Sequence, residues 1–243
     1  MNLIVVEDHA AVSQTAAEVV AASITENADL TVVAATGTTP MDLYGELANR
    51  RRRGELVTSG WRVFQLDEYV GIPADDRRSL YQWMKCAVLD PLAIPADRTV
   101  RLRGDAADLV AACDDYDLAI ESSRGLDLAI LGLGPNGHLG FNEPPSDPTS
   151  PTRVVTLSAE SIRSNAAYWG DEEDVPRCAL TAGMTVLLSA RHIVLVVSGG
   201  HKRGILERVL RGPVTPEVPA SHLQSCGGCT VIADRLAAGH ASA

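Results

Sequence analysis

Lysine is almost missing from this chain: of its 21 basic residues only Lys85 and Lys202 are lysines, and the other 19 are arginines. Positive charge as a whole is scarce, with 31 acidic residues against those 21 and a formal charge of −10. A net anion is a poor partner for nucleic acid or for an anionic membrane surface, so neither is expected, although a small phosphate ligand needs only a local positive field. No basic residue precedes the first apolar run, Leu3-Ile4-Val5-Val6, and without that flank no secretory signal is expected. Long apolar runs are absent too. The most apolar stretch, Ile193 to Val197, stops far short of the roughly 20 residues of a spanning helix. Cysteine is sparse and odd in number, at Cys86, Cys113, Cys178, Cys226 and Cys229; no spacing suggests a disulfide framework, and a reducing, cytoplasmic setting is expected.

What is present suits one large domain spanning residues 1–243. Hydrophobic residues make up 46% and charged residues 21%, enough to build a core and to exclude wholesale disorder. Short β-branched runs alternate with helical patterns. Strands are predicted at Leu3–Val6, Leu30–Ala35, Arg62–Leu66, near 99–103, at Leu126–Gly132, 153–157, His192–Val197 and Thr230–Ala233. Helices are predicted at Val12–Ile24, 41–52, 79–89, 105–122, 158–168, 179–189 and His201–Leu210. The Arg50–Arg53 run sits at a helix C-terminus, where cations complement the dipole. Aliphatic strands separated by helices imply a doubly wound, mostly parallel, Rossmann-like α/β sheet with helices on both faces. In such a fold ligands bind beyond the carboxyl ends of the strands.

Four segments with chemical potential follow predicted strands. Thr36-Gly37-Thr38-Thr39-Pro40 joins a strand to a helix; Gly37, Thr38 and Thr39 suit an anion at a helix start, and equally an ordinary capped junction. Ser198-Gly199-Gly200-His201-Lys202 repeats that design. Local helix physics disfavours a cation in a first turn, so one of only two lysines standing there favours a bound phosphate. Asp67-Glu68-Tyr69 places a carboxylate at a strand end, fit either for acid–base work or for a turn. Asn136-Gly137-His138-Leu139-Gly140-Phe141-Asn142-Glu143-Pro144 brings a histidine and a carboxylate within five residues in a glycine-rich turn, which suits a proton shuttle better than a core.

Cys226-Gly227-Gly228-Cys229 falls short of four zinc ligands and does not open a helix, so it reads as a turn leading into the last strand. The histidines form no H-x-x-x-H or H-x-H pair, and no metal is expected.

Taken in order, these segments resemble the glucosamine-6-phosphate deaminase (isomerase) family, over nearly the whole chain up to Ala233. The motifs that carry the resemblance are Thr36–Pro40, Phe64-Gln65-Leu66-Asp67-Glu68-Tyr69-Val70-Gly71, Gly132–Pro144 and the Lys202 turn. Related 6-phosphogluconolactonases share the fold but usually carry aspartate before Gly-His and lack Phe-Asn-Glu-Pro. The resemblance implies conversion of glucosamine 6-phosphate and water to fructose 6-phosphate and ammonia, with neither metal nor organic cofactor. It implies that Asp67 moves the proton between C2 and C1, that His138, oriented by Glu143, opens the sugar ring, and that Gly37, Thr38, Thr39 and Lys202 hold the phosphate.

Three departures stand out. Asn136 replaces an aspartate of the longer, allosteric members, which leaves Glu143 to orient His138 alone. Ala167 stands where members commonly carry a phosphate-contacting arginine, leaving that contact to another group such as Arg163. Arg153 is present but Val155 replaces the lysine of the allosteric site, so allosteric activation is not expected. The rival readings are a galactosamine 6-phosphate deaminase, a 6-phosphogluconolactonase and a non-catalytic sugar-phosphate-binding domain. The expected partner is a small aminosugar phosphate, handled by a monomer or small homo-oligomer.

Overall fold

The computed structural model describes residues 1–24 and 29–239. The chain runs β1 (Asn2–Val6), α1 (His9–Ile24), β2 (Thr31–Ala34), α2 (Thr38–Arg52), β3 (Arg62–Gln65), β4 (Asp67–Tyr69) and α3 (Leu80–Met84), which continues as a π-helical turn over Lys85–Leu89. Then come β5 (Thr99–Val100), α4 (Leu109–Ser122), β6 (Leu128–Gly132), β7 (Arg153–Thr156), α5 (Ala159–Trp169), β8 (Cys178–Thr181), α6 (Met184–Leu188), β9 (His192–Val197), α7 (Arg203–Arg211), β10 (Cys229–Asp234) and α8 (Arg235–Ala238).

Seven strands form one parallel sheet in the order β1-β10-β9-β6-β2-β3-β5. Successive side chains of a strand leave on opposite faces, and both faces here are apolar. Leu128 and Ile130 of β6 pack with Val12, Ala16 and Val20 of α1 and with Leu43 and Leu47 of α2. Ala129 and Leu131, one residue out of phase, pack with Tyr116 and Ile120 of α4 and with Leu206 and Val209 of α7. That double burial explains why the strands read as unbroken aliphatic runs rather than alternating ones. The doubly wound α/β expectation is met. Among the described residues no helix is long and apolar enough to cross a membrane.

Two sequence expectations need correction. The helix expected over 179–189 is a strand, β8, followed by the shorter α6. Asp67–Tyr69, read as a turn or catalytic segment after a strand, is itself the strand β4. Together β4, β8 and β7 make a second, antiparallel sheet. Between β8 and α6 the chain must pass close to residues 150–152: a Cβ on Gly183 would lie 2.2 Å from the Pro151 carbonyl carbon. Boundaries shift as well: the helices expected from Val12 and 41 start at His9 and Thr38, the helix expected from 105 starts at Leu109 behind its Asp108 cap, the strand expected from Leu126 starts at Leu128, and the strand near 99–103 is confined to Thr99–Val100.

The second sheet anchors the glycine-rich loop after β6. Thr181 is fully buried, and its Oγ1 accepts from the Phe141 N–H at 3.1 Å. The Asn142 side chain donates to the carbonyls of Leu139 and Ala182 at 2.9 and 2.8 Å. Thr181→Val keeps the shape but strands the Phe141 N–H without an acceptor. The expected loss is about 1–3 kcal/mol, read as a lower denaturant midpoint with an unchanged slope. An unchanged midpoint would mean that the hydroxyl contributes nothing to holding the loop.

Candidate active site

From β2 the chain proceeds outward to β3 and β5, whereas from β6 it proceeds the other way to β9 and β10. The reversal opens a crevice at the carboxyl ends of β2 and β6. The four segments singled out in the sequence follow β9, β6, β2 and β3, which are consecutive neighbours in the sheet. A cavity of about 850 Å³ lies there, lined by Gly37, Thr38, Thr39, Asp67, His138 and Lys202 among others. Asn136 and Glu143 are not part of that lining.

Asp67 is buried, at 8% exposure, and sits beside the fully buried Glu68. Burial first, and the neighbouring Glu68 charge second, push its carboxyl up to about 7, because both penalise the anion. Glu68 is held in full. Its carboxylate accepts from Gln65 Nε2, from the Tyr69 N–H and from the N–H groups of Leu80 and Tyr81, at 2.9–3.0 Å. Burial raises its pKa while these four donors oppose the rise. Glu68 thus ties the first turn of α3 to the strand that carries Asp67.

The His138 ring is stacked against the backbone of Gly134. A Cβ at Gly134 would fall 2.1 Å from His138 Cδ2 and 2.2 Å from Nε2, so only glycine fits beneath this imidazole. Burial pulls the His138 pKa down to about 4, opposed by the charge of Glu143 and reinforced by that of Lys202. The ring is therefore neutral near pH 7. Its Nδ1 is buried and has no hydrogen-bond partner. Glu143 instead accepts from the Ser158 N–H at 3.2 and 3.3 Å, and so acts on His138 through its charge rather than through a bond. Asn136 works on the backbone: its Oδ1 accepts from the His138 N–H at 3.2 Å.

Two helix starts contribute to the lining. Gly37 is the N-cap of α2 and offers no side-chain cap, leaving first-turn N–H groups free for a ligand. Nothing lies within 4 Å of the point a Gly37 Cβ would occupy. Lys202 ends a 3-10 turn over Gly200–Lys202 that leads into α7. Burial lowers its pKa, and Glu160 only partly offsets this; an anion in the cavity would reverse that penalty. Gly199, at φ +97°, takes a conformation that other residues resist. Asp234 fixes the turn by accepting from Ser198 Oγ and the Gly199 N–H at 2.6 and 2.8 Å.

The sequence reading missed the wall made by α3 and α5. Arg77, Arg78, Trp83, Tyr168 and Trp169 all line the cavity. Trp83 meets Tyr168 edge-on with ring centroids 5.1 Å apart, and the Arg78 guanidinium lies 4.8 Å from the Trp169 ring centroid. The Ser79 cap that opens α3 was the one available signal for this wall. Arg163 and Ala167 do not line the cavity, so the suggestion that Arg163 replaces the arginine absent at Ala167 fails. Arg153 donates to Asn142 Oδ1 at 2.8 Å and braces the loop. Cys226 and Cys229 are free thiols at the entry to β10. Among the described residues no group of three or more His, Cys, Asp or Glu side chains is placed to hold a metal ion.

Residues 7–232 match the family of glucosamine-6-phosphate isomerases and 6-phosphogluconolactonases. The chain belongs to that family. Within it, the chain is 40% identical to the glucosamine-6-phosphate deaminase of Streptomyces coelicolor, over 98% of its own length and 92% of the relative's. It is 38% identical to that of Halothermothrix orenii, over 98% and 99%. A solved monomeric glucosamine-6-phosphate deaminase of the NagB superfamily superposes with a TM-score of 0.95 at 34% identity, covering 98% of this chain and 99% of that one. The 6-phosphogluconolactonase of Trypanosoma cruzi shares the fold, with a TM-score of 0.79 at 22% identity, covering 100% of this chain and 97% of its own.

Gly134→Ala tests the stacked imidazole without reference to activity. The displaced ring should leave its desolvated position and titrate closer to the usual value near 6.5, rather than at about 4, in a histidine NMR titration. An unchanged His138 titration in Gly134→Ala would contradict the close packing.

Proposed function

We propose that this chain is a glucosamine-6-phosphate deaminase, converting glucosamine 6-phosphate and water to fructose 6-phosphate and ammonia. The observation that carries the reading is one cavity shared by a carboxyl group poised near neutral pH, a neutral imidazole and an uncapped helix start with a lysine beside it. The chemistry needs each part. The open-chain amino aldose must lose a proton from C2 and gain one at C1, and Asp67, with its pKa near the working pH, suits both halves of that transfer. The ring oxygen needs a separate proton carrier, and neutral His138 takes that role, kept basic enough by the Glu143 charge. Asn136 holds the backbone from which the imidazole projects. Gly37, Thr38, Thr39 and Lys202 bind the 6-phosphate at the far end, and this anchoring makes the proton transfers effectively intramolecular.

The resulting imine of fructose 6-phosphate takes up water and releases ammonia. Nothing in this sequence of steps calls on a metal or an organic cofactor. The five thiols are all free, which suits a reducing compartment, and we place the reaction in the cytoplasm. A monomer or small homo-oligomer contains every group named here.

The test is ammonia release from glucosamine 6-phosphate and galactosamine 6-phosphate in parallel, with the unphosphorylated sugars and 6-phosphogluconolactone hydrolysis as controls. Turnover of glucosamine 6-phosphate is expected to dominate. Because Asp67 must be ionised to act as a base, kcat should fall as pH drops through about 7, and His138 should add no limb above pH 5. Asp67→Asn should lose about 100-fold or more. Near-normal turnover in Asp67→Asn, or faster lactone hydrolysis than ammonia release, would overturn the proposal.

A further inference from the structure

We infer that Arg77 is a substrate-binding residue, the second cation that neutralises the sugar phosphate; this rests on reading the cavity as an aminosugar-phosphate site. The lining holds three basic side chains, Arg77, Arg78 and Lys202, and two carboxyl groups, Asp67 and Asp76. Arg78 is committed. Its Nε and Nη2 donate to Asp76 at 3.0 and 2.8 Å, and its guanidinium lies over Trp169, so this pair adds no net charge.

Arg77 is different. It is exposed and makes no ion pair, side-chain hydrogen bond or ring contact among the described residues. A phosphate monoester carries close to two negative charges at pH 7. Lys202 supplies one positive charge, and that charge is itself disfavoured by burial. The substrate's cationic amine offsets the second phosphate charge, but with Asp67 ionised as the base and Lys202 alone the occupied cavity is left with one net negative charge. Arg77 closes the balance.

The geometry of its loop supports the assignment. Arg77 directly precedes the Arg78-Ser79 start of α3, where Ser79 caps the helix and Glu68 holds the N–H groups of Leu80 and Tyr81. Asp76 accepts from the Arg78 N–H at 2.9 Å and fixes the preceding turn. The backbone that presents Arg77 is therefore set by the same carboxylate that neighbours Asp67. The guanidinium is repelled by the cationic amine of the substrate and attracted to its only anion, and its planar fork suits two phosphate oxygens at once. No arginine of α5 lines the cavity to serve instead.

The experiment measures dissociation constants for inorganic phosphate and for glucosamine 6-phosphate, with KM and kcat, in the parent, Arg77→Ala, Arg77→Lys and Arg163→Ala. Arg77→Ala should bind phosphate about 10-fold or more weakly and raise KM with kcat changed far less, as expected for lost ground-state binding. Arg77→Lys should recover part of the affinity, and Arg163→Ala should match the parent. Parent-like phosphate affinity in Arg77→Ala, or no phosphate binding by the parent, overturns the inference. If the parent binds phosphate but releases no ammonia, the proposed reaction fails while the Arg77 comparison still decides this point.

Discussion

The parallel pairing of β9, β6, β2 and β3 is the constraint on which the site depends. Parallel strands all end at the same edge, so each loop that follows one of these four opens onto the same crevice. The reversal of winding between β2 and β6 keeps crossover helices from filling the gap between them. Lys202, His138, Thr38 and Asp67 are far apart in sequence and contribute different chemistry, yet each needs only to follow its own strand to reach the cavity. The aliphatic burial on both sheet faces fixes those strands, and with them the spacing of the four groups.

On that frame the electrostatics are arranged by burial more than by pairing. Asp67 and His138 are both shifted toward their neutral forms, the carboxyl upward and the imidazole downward, by removal from water. Two neutral-leaning groups can exchange protons with a substrate at little electrostatic cost. Glu68 sharpens the effect on one side, adding a negative charge next to Asp67 while its own four donors keep it in place. Glu143 moderates it on the other, its charge favouring the imidazolium form of His138.

Much of this was legible in the sequence because the parallel strands are short, aliphatic and followed at once by glycine, threonine or carboxylate. Six of the residues singled out in the segments after them line the cavity, and Asn136 and Glu143 do not. The second sheet was not legible. Cys178-Ala179-Leu180-Thr181 runs straight into the helical pattern of Met184–Leu188, and only pairing with β4 and β7 makes it a strand, a case of tertiary context deciding conformation. Glu143 was legible as a neighbour of His138 in sequence, but the loop delivers its carboxylate to the Ser158 N–H, which spacing alone does not reveal. The wall of Arg77, Trp83 and Tyr168 was hidden for a different reason: its members come from α3, the loop before it and α5, which meet only in the fold.

The central claim is a division of labour, with Asp67 moving the proton at carbon and His138 serving the ring oxygen. The direct measurement is solvent deuterium exchange at C1 of fructose 6-phosphate in the presence of ammonium, set beside forward turnover, for the parent, Asp67→Asn and His138→Gln. A ketose that opens in solution needs no help at its ring oxygen, so His138→Gln should keep far more exchange than forward turnover, while Asp67→Asn loses both. Equal losses of exchange and turnover in His138→Gln would contradict the account and give the histidine a share in proton transfer at carbon.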